Sequence, residues 1–463
     1  KIFHRFKHFA GERTMTEITP PEGALHIIKK LTDGGHRALF VGGCVRDYLL
    51  GLRPTDWDIA TDAMPEEITS LFDKTLVIGA RFGVVSVILN DGNYEVAQFR
   101  AEGPYFDGRH PSSVEPANEK QDAMRRDITI NGMFFDPIKD QLLDYVGGQE
   151  DIHKELIRAI GEPGKRFEED HLRMLRALRF AARFEYGIET GTYSAIQRLA
   201  PLIERTSAER KRDELTSMLT SGRADIAFGL MRETGILTKV LPEVARMTGV
   251  AQPPEFHPEG DVWAHTIKAL GMLESPSSIF AWAVLLHDVG KPDTFSQADR
   301  IRFNNHDTVG AQISEQICER LNMSGHEKSW ISNIVKNHMK FREVKNMRES
   351  TLKRFLREPF FSELIELHRI DQLAGHGNLE TYGFCLEQLA LTGDNILHPR
   401  RTIDGNDLTE MGFEPGPLFQ NILTSLENEQ LEGRALTYAE AEVFVIKKFG
   451  NLRTRKSKRP NDN

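Results

Sequence analysis

The chain of 463 residues has only three cysteines, Cys44, Cys318 and Cys385, and they stand far apart. Thiols so spaced form neither a zinc-type site nor a disulfide framework, which fits a reducing compartment and a cytoplasmic protein. No apolar run approaches the length that spans a bilayer, so no membrane partner is expected. An excess of positive charge is also missing: 59 Lys and Arg stand against 68 Asp and Glu, a net charge of −9. That balance does not advertise a nucleic-acid binder, but phosphates are met by local patches, not by averages. Basic residues gather at 165–183 and again at 453–459, RTRKSKR. Residues 1–14, KIFHRFKHFAGERT, are basic yet lack the apolar core of a secretory signal. The composition, 40% apolar and 27% charged, is that of a globular chain, and its length exceeds one ordinary core. Two to four domains are expected.

The densest stretch is VGGCVRDYLLGLRPTDWDIATD, residues 41–62. In a β-strand, residues i and i+2 share a side, so Asp56 and Asp58, flanking Trp57, can face one cavity. Ahead of them, Gly42 and Gly43 let the backbone turn close to a phosphate, and the start of the following helix can hold it. Two aligned carboxylates beside a phosphate seat suit Mg²⁺-assisted phosphoryl chemistry. A D-x-D alone is common in solvated loops; the combination carries the signal. G-G-x-x-R-D-x-L-L-G followed by D-x-D-I-A-T-D resembles the class II branch of the nucleotidyltransferase superfamily. That branch contains the CCA-adding enzymes of tRNA and the bacterial poly(A) polymerases.

Around this stretch the periodicity predicts a helix over 22–36, ended by Gly34-Gly35, and a strand over 38–41. A helix follows over 65–72, with Thr61 or Asp62 as its cap. Strands over 84–89 and 94–99 flank the Asp91-Gly92 turn. Glu95, on the second of these, alternates with Val96. The resemblance implies an acidic residue at this point of the sheet, making Asp56, Asp58 and Glu95 the catalytic carboxylates. Residues 101–124, with D-G-R-H-P, read as a polar loop. By resemblance it is the loop that switches the site from C to A addition, and its full length counts against a CC-only enzyme. In RRDITINGMFFDP, 125–137, Arg125 and Arg126 are cationic donors suited to a triphosphate, and Asn131 can bond a ribose. Gly42, Gly43 and Arg46 join the phosphate-holding set.

FEEDHLRMLRALRFAARF, 167–184, reads as one helix. Leu172, Leu175, Leu178 and Ala182 form its apolar stripe, and Arg176, Arg179 and Arg183 lie on a neighbouring face. Asp170 and Arg173, at i and i+3, project from the same side. Spacing alone would make them a surface ion pair. The resemblance to the E-D-x-x-R motif implies instead a protein template whose Asp and Arg select CTP and ATP. In 208–219, Glu209 and Arg210 are expected to brace that helix.

Farther on stand His265, the adjacent His287-Asp288 followed by Gly-Lys-Pro, and Asp371. This order resembles the HD phosphohydrolase superfamily and implies a divalent metal on His265, His287, Asp288 and Asp371. Imidazole with carboxylate suits a transition metal. His306 and His338 are placed to join a second metal or to hold a phosphate. D-L-x-x-x-G-x-x-P-G-P, 407–417, resembles the C-terminal helical segment of bacterial CCA-adding enzymes, which would grip the tRNA acceptor and TΨC arm.

The expected fold is α+β: a small mixed β-sheet head over 20–158, then a largely helical remainder. That remainder comprises a neck and body over 159–250, an HD domain over 251–385, tRNA-binding helices over 386–450 and a disordered basic tail over 451–463. The expected function is addition of C and A to the tRNA 3′ end from CTP and ATP, releasing pyrophosphate. The rivals are an A-adding enzyme with a separate CC-adding partner, and a poly(A) polymerase, against which the G-x-x-P-G-P segment argues. A different class, an HD phosphohydrolase with an inactive RNA-binding head, is opposed by the intact D-x-D, RRD and Glu95.

Overall fold

Ala24, Ile27, Ile28 and Leu31 recur at i, i+3, i+4 and i+7 and form the buried side of α1 (Glu22–Asp33). Burial of Ile27, Ile28 and Leu31 contributes about 1.5–3 kcal/mol each. The computed structural model describes residues 18–453 except 79–82, 106, 256, 394–396, 398 and 435. The basic segment at 1–14 and, from 454 on, the basic tail lie outside the described residues. The chain divides into two units. One runs to Thr248 and takes in 270–281 and 317–324; the other comprises 249–269, 282–316 and 325–463. The proposed head and neck therefore fall in one unit, and most of the HD domain with the C-terminal helices in the other.

The head is built on a mixed sheet of β1 (Ala38–Val41), β2 (Ile59–Thr61), β3 (Thr75–Val77), β4 (Val84–Leu89), β5 (Gly92–Gln98), β8 (Phe134–Asp136) and β9 (Gln141–Leu143). Their order is β3-β4-β5-β2-β1-β8-β9. Only β2 and β5 run parallel among the pairs in this sheet, with Ile59 opposite Val96. Leu39, Val41, Ala60, Phe99, Ala123 and Phe134 form a core cluster in the head. β5 begins at Gly92, two residues earlier than expected. Leu89 pairs with Gly92, so the turn is Asn90-Asp91. The Asp91 carboxylate is committed elsewhere, to Gly23 N at 2.9 Å and Tyr94 Oη at 3.0 Å.

α2 (Gly43–Leu49) follows β1, and α3 (Pro65–Leu71) follows β2. Neither Thr61 nor Asp62 caps α3. Thr61 stays in β2, and the Met64 N–H donates to Glu67 Oε2 at 2.7 Å just ahead of Pro65. The expected polar loop contains a hairpin, β6 (Arg100–Glu102) against β7 (Val114–Pro116), and α4 (Glu119–Met124), capped by Asn118. After α5 (Gly148–His153) come α6 (Pro163–Glu169), α7 (Leu172–Phe184), α8 (Thr190–Leu199) and α9 (Ala208–Leu219).

In the second unit the residues are mostly helical. Helix Ser278–Leu286, whose residues to Ala281 count with the first unit, is apolar on every side, and residues 281–286 are buried. It delivers His287 and Asp288 at its end. The C-terminal helices enclose a core of their own, with Leu408, Phe413, Ile422, Leu426 and Val445. No helix among the described residues is long and apolar enough to cross a membrane. The fold is α+β, with the seven-stranded sheet in the head and only two-stranded ribbons, such as Phe295–Gln297 against Ile301–Phe303, among the described residues beyond it.

Candidate active site and metal centre

β1 ends at Gly42, whose φ of 77° and ψ of −127° lie where only glycine is at ease. A Cβ there would sit 3.2 Å from Arg126 Nη1, so the same glycine also lets that guanidinium come close. Gly43 opens α2. Asp56 and Asp58 lie in the extended lead-in to β2, not in the strand itself. The alternation nevertheless holds: Asp56 and Asp58 both keep surface in solvent, while Trp57 is buried with its ring edge-on to Phe40 at 4.8 Å. The parallel register sets Asp58 beside Glu95, one step before the Ile59–Val96 pair. Their proximity has an electrostatic signature. Burial pushes the Asp58 carboxyl up to about 6, with Glu95 and Asp56 adding to the shift and Arg126 opposing it. Carboxylates crowded in this way form a site that gains from a cation. Oxygen-only donors suit Mg²⁺.

The basic residues around this site are braced from behind. Asp122 is buried and accepts from Arg125 Nε at 2.8 Å and from Arg126 Nη2 at 2.9 Å. Burial alone would raise Asp122, but Arg126 and Arg125 hold it below the usual carboxylate range. Arg46, expected on a phosphate, is only 3% exposed and turned inward. Nε lies 2.8 Å from Asp47 Oδ1, Nη2 lies 2.8 Å from the same oxygen, and Nη1 lies 2.5 Å from Asn131 Oδ1. Asn131, expected on a ribose, is buried as Arg46's acceptor. The arginines of α7 also reach back as anchors. Arg176 pairs with Asp127 at 2.7 Å, Arg179 with Glu214 at 2.7 Å, and Arg183 with Asp47 at 3.4 Å.

Asp170 and Arg173 do not share a helix. Asp170 breaks the expected run, with φ −144° and ψ 107°, between α6 and α7. An aspartate competes with helical backbone bonding by capping. Here its Oδ1 accepts from Leu172 N at 3.1 Å. Asp170 takes a two-pronged bond from Arg210, at 3.0 and 2.8 Å, while Arg173 Nη1 donates to Glu169 at 2.7 Å. Arg210 thus braces the turn as expected. Glu209 does not; it accepts from Asn322 at 2.6 Å. The hairpin loop meets the same turn. A Cβ on Gly108 would lie 2.2 Å from His171 Nε2, and the Arg173 guanidinium lies over the Tyr105 ring at 5.9 Å.

In the second unit, Asp288 is the hub. His287 Nε2 lies 3.2 Å and His265 Nε2 4.0 Å from its Oδ2; His306 Nε2 lies 3.6 Å and His338 Nε2 3.9 Å from its Oδ1. Asp371 Oδ1 is 2.9 Å from His265 Nε2. Backbone oxygens explain the ring orientations. Nδ1 of His287, His306 and His338 faces the carbonyl of Val284, Phe303 and Val335 at 2.8, 2.8 and 2.6 Å. A proton on each Nδ1 leaves each Nε2 as a bare lone pair aimed inward. The Nε2 atoms of His306 and His338 are 3.2 Å apart, and His287 Nε2 is buried with no hydrogen-bond partner. His306 is pushed down by burial, and His338 is pushed down to about 3 by burial and then by His306 and His287. Two neutral nitrogens with facing lone pairs repel unless a cation sits between them. The donor set therefore fits a divalent transition metal. Lys291, also buried, lies 2.6 Å from Asp288 Oδ2 and helps hold that carboxyl well below its ordinary range against the effect of burial. The ligand-distance groups also include His257 and Glu259, which the sequence reading passed over. Their signal was present in H-P-E-G-D, two residues apart and just before His265.

Comparison with known proteins follows the same division. Residues 38–158 match the model for the poly A polymerase head domain, and 185–248 the one for the probable RNA and SrmB-binding site of polymerase A. Residues 262–375 match the HD domain. The CCA-adding enzyme of Geobacillus thermodenitrificans is 40% identical over 273 residues, covering 57% of this chain and 67% of the relative. That of Bacillus subtilis is 34% identical over 287 residues, covering 59% of this chain and 72% of the relative. The chain belongs to the CCA-adding enzyme family. The crystal structure of the Bacillus stearothermophilus CCA-adding enzyme in complex with CTP superposes with a TM-score of 0.72 at 25% identity, over 94% of this chain and 99% of that one. A Thermotoga maritima CCA-adding enzyme complexed with tRNA shares the fold, with a TM-score of 0.58 at 20% identity, over 93% of this chain and 96% of that one. The CCA-adding family thus accounts for the sheet, the helices that follow it and the order of the motifs along the chain.

Proposed function

We propose that this chain adds C and A to the 3′ end of tRNA, using CTP and ATP and releasing pyrophosphate. The observation that carries the reading is the register of β2 against β5, which sets Asp58 beside Glu95 and within the field of Arg126. In the reaction the 3′-oxygen of the tRNA bonds to the α-phosphorus. The bond from that phosphorus to the oxygen bridging to the β-phosphorus breaks, pyrophosphate leaves with that oxygen, and the hydroxyl proton passes to solvent. Asp56 and Asp58 would hold Mg²⁺, which when bound neutralises charge on the attacking and leaving oxygens. Glu95 adds a third carboxylate at the same place. Arg126, held by Asp122 over Gly42, and its neighbour Arg125 would receive the triphosphate. Arg46 and Asn131 would position this set from within. Asp170 and Arg173 would select the base once it displaces their present partners, Arg210 and Glu169.

The deciding assay offers labelled CTP and ATP to tRNA transcripts ending at the discriminator base, at C and at CC. Completion of all three to CCA is expected. A single A on the CC-ended transcript alone would make the chain an A-adding enzyme, and long A tails a poly(A) polymerase. Arg173→Ala is expected to lower discrimination against UTP and GTP by about tenfold, the order of one lost hydrogen-bonding group. Unchanged selectivity would remove the template role.

Gly108→Ala places a side chain at φ +73° and against the His171 ring, so either that ring or the hairpin has to shift at the Asp170 turn. Strain of this kind costs about 1–3 kcal/mol. A addition is expected to fall by about tenfold or more, with C addition less affected; equal losses would uncouple the loop from the C-to-A switch. The Asp288 cluster supports a second activity in the same chain, metal-dependent hydrolysis of phosphoesters. The facing lone pairs of His306 and His338 favour it, and they provide for a second ion on Asp288.

A further inference from the structure

Three of the four imidazoles around Asp288 are oriented by neutral backbone carbonyls. His265 is different. It is fully buried, and its Nδ1 lies 2.5 Å from the Glu259 carboxylate. The same Glu259 oxygen lies 3.0 Å from Nδ1 of His257. The other oxygen, Oε2, is buried with no hydrogen-bond partner. A buried carboxylate is expensive to keep. The carbonyls behind the other rings show that this fold can orient a histidine without one.

We infer that Glu259 is a positioning residue of the Asp288 centre: it holds the proton of His265 on Nδ1, aims Nε2 at a metal shared with Asp288 and Asp371, and strengthens His265 as a ligand. His257 braces Glu259 from the more exposed side. The inference rests on reading the Asp288 cluster as a metal site. A carboxylate behind a ligating imidazole fixes its tautomer and raises its donor strength, and losing such a partner typically weakens metal binding about 10–100-fold. The carbonyl-backed rings have no such charge, so His265 is the strongest imidazole donor of the set. The three atoms at His257, Glu259 and His265 also lie within 4.8 Å of one another, a ligand-like spacing. A ring whose Nε2 binds one ion, however, can offer Nδ1 to another only after losing both protons. A second ion there is therefore disfavoured.

The test uses the full chain, stripped with a chelator and titrated with Mn²⁺ by calorimetry, with bound metal counted by mass spectrometry. Glu259→Gln keeps an acceptor behind His265 and removes the charge. The expected result is an unchanged number of bound ions, with the site that Asp288→Ala abolishes weakened tenfold or more. Equal affinity in wild type and variant overturns the inference. Loss of one whole metal equivalent, the rest binding as before, makes Glu259 a ligand itself and also overturns it. Because the head carboxylates also take divalent ions, an Asp288→Ala chain is titrated beside these two; if it binds as many Mn²⁺ ions as wild type, the metal reading on which the inference stands is removed. Folding is checked by circular dichroism. If Glu259→Gln does not fold, His257→Gln at the partly exposed ring decides: weaker binding in the same direction is expected, and unchanged binding overturns the inference.

Discussion

Asp58→Asn is expected to abolish nucleotide addition while leaving the fold intact. The loss should be on the order of 10³-fold or more, at least about 4 kcal/mol of transition-state stabilisation. The substitution keeps the shape of the side chain and removes its charge. Retention of addition within tenfold of wild type would sink the site assignment. The same change has an opposite effect on the metal-free protein. The Asp58 carboxyl is pushed up to about 6 in the folded chain by burial, Glu95 and Asp56. An acid with a raised folded pKa contributes stability at low pH, and that contribution is lost as pH rises through about 6. At pH 7 the charged Asp58 opposes folding, so the variant should melt slightly above wild type. Asp58 keeps part of its surface in solvent, and screening keeps the gain to about 1 kcal/mol or less. Below pH 4 the difference should vanish. Mg²⁺ should raise the melting temperature of wild type more than that of the variant.

The grouping of these carboxylates was legible because its signal is short-range. Gly-Gly followed by D-x-D dictates a turn, an alternation and a strand. The family's sheet then supplies Glu95 through a register that a single sequence does not display. The template pair was less legible. Spacing put Asp170 and Arg173 on one helix, and the carboxylate's preference for capping Leu172 broke it. The hairpin in 100–116 was missed because its strands are only three residues each, and the segment 103–113 between them, rich in Gly, Pro and Ser, reads as loop. Motif order gave His265, His287, Asp288 and Asp371, but not the Nδ1 partners that aim the rings. Those partners are backbone carbonyls, which carry no sequence signature, and a single glutamate in a loop. Motifs name the type of a residue; burial decides which way it points.

Arg46 is where that distinction has the largest consequence for stability. Read from the motif, it is a cation beside a phosphate. In the structure its guanidinium is spent on buried Asp47 and Asn131 and lies over the Phe180 and Phe184 rings at 5.0 and 4.9 Å. Removing it leaves Asp47 with Arg183 at 3.4 Å as its remaining ion-pair partner shown here. Breaking one partner out of a buried pair costs about 3–5 kcal/mol. Arg46→Ala should therefore lower the melting of the first unit by roughly 6–20 °C, at about 2–4 °C per kcal/mol. Arg46→Lys keeps the charge but lacks the planar fork that reaches both Asp47 and Asn131. It should still lose a substantial part of that stability. If Arg46 were instead a phosphate ligand, both variants would melt as wild type and raise the KM for CTP and ATP, with lysine the milder of the two. Thermal scans of the three proteins separate these cases. A large drop for alanine with an intermediate one for lysine places Arg46 behind the site, holding Asn131 and the start of α2 for the residues that meet the nucleotide.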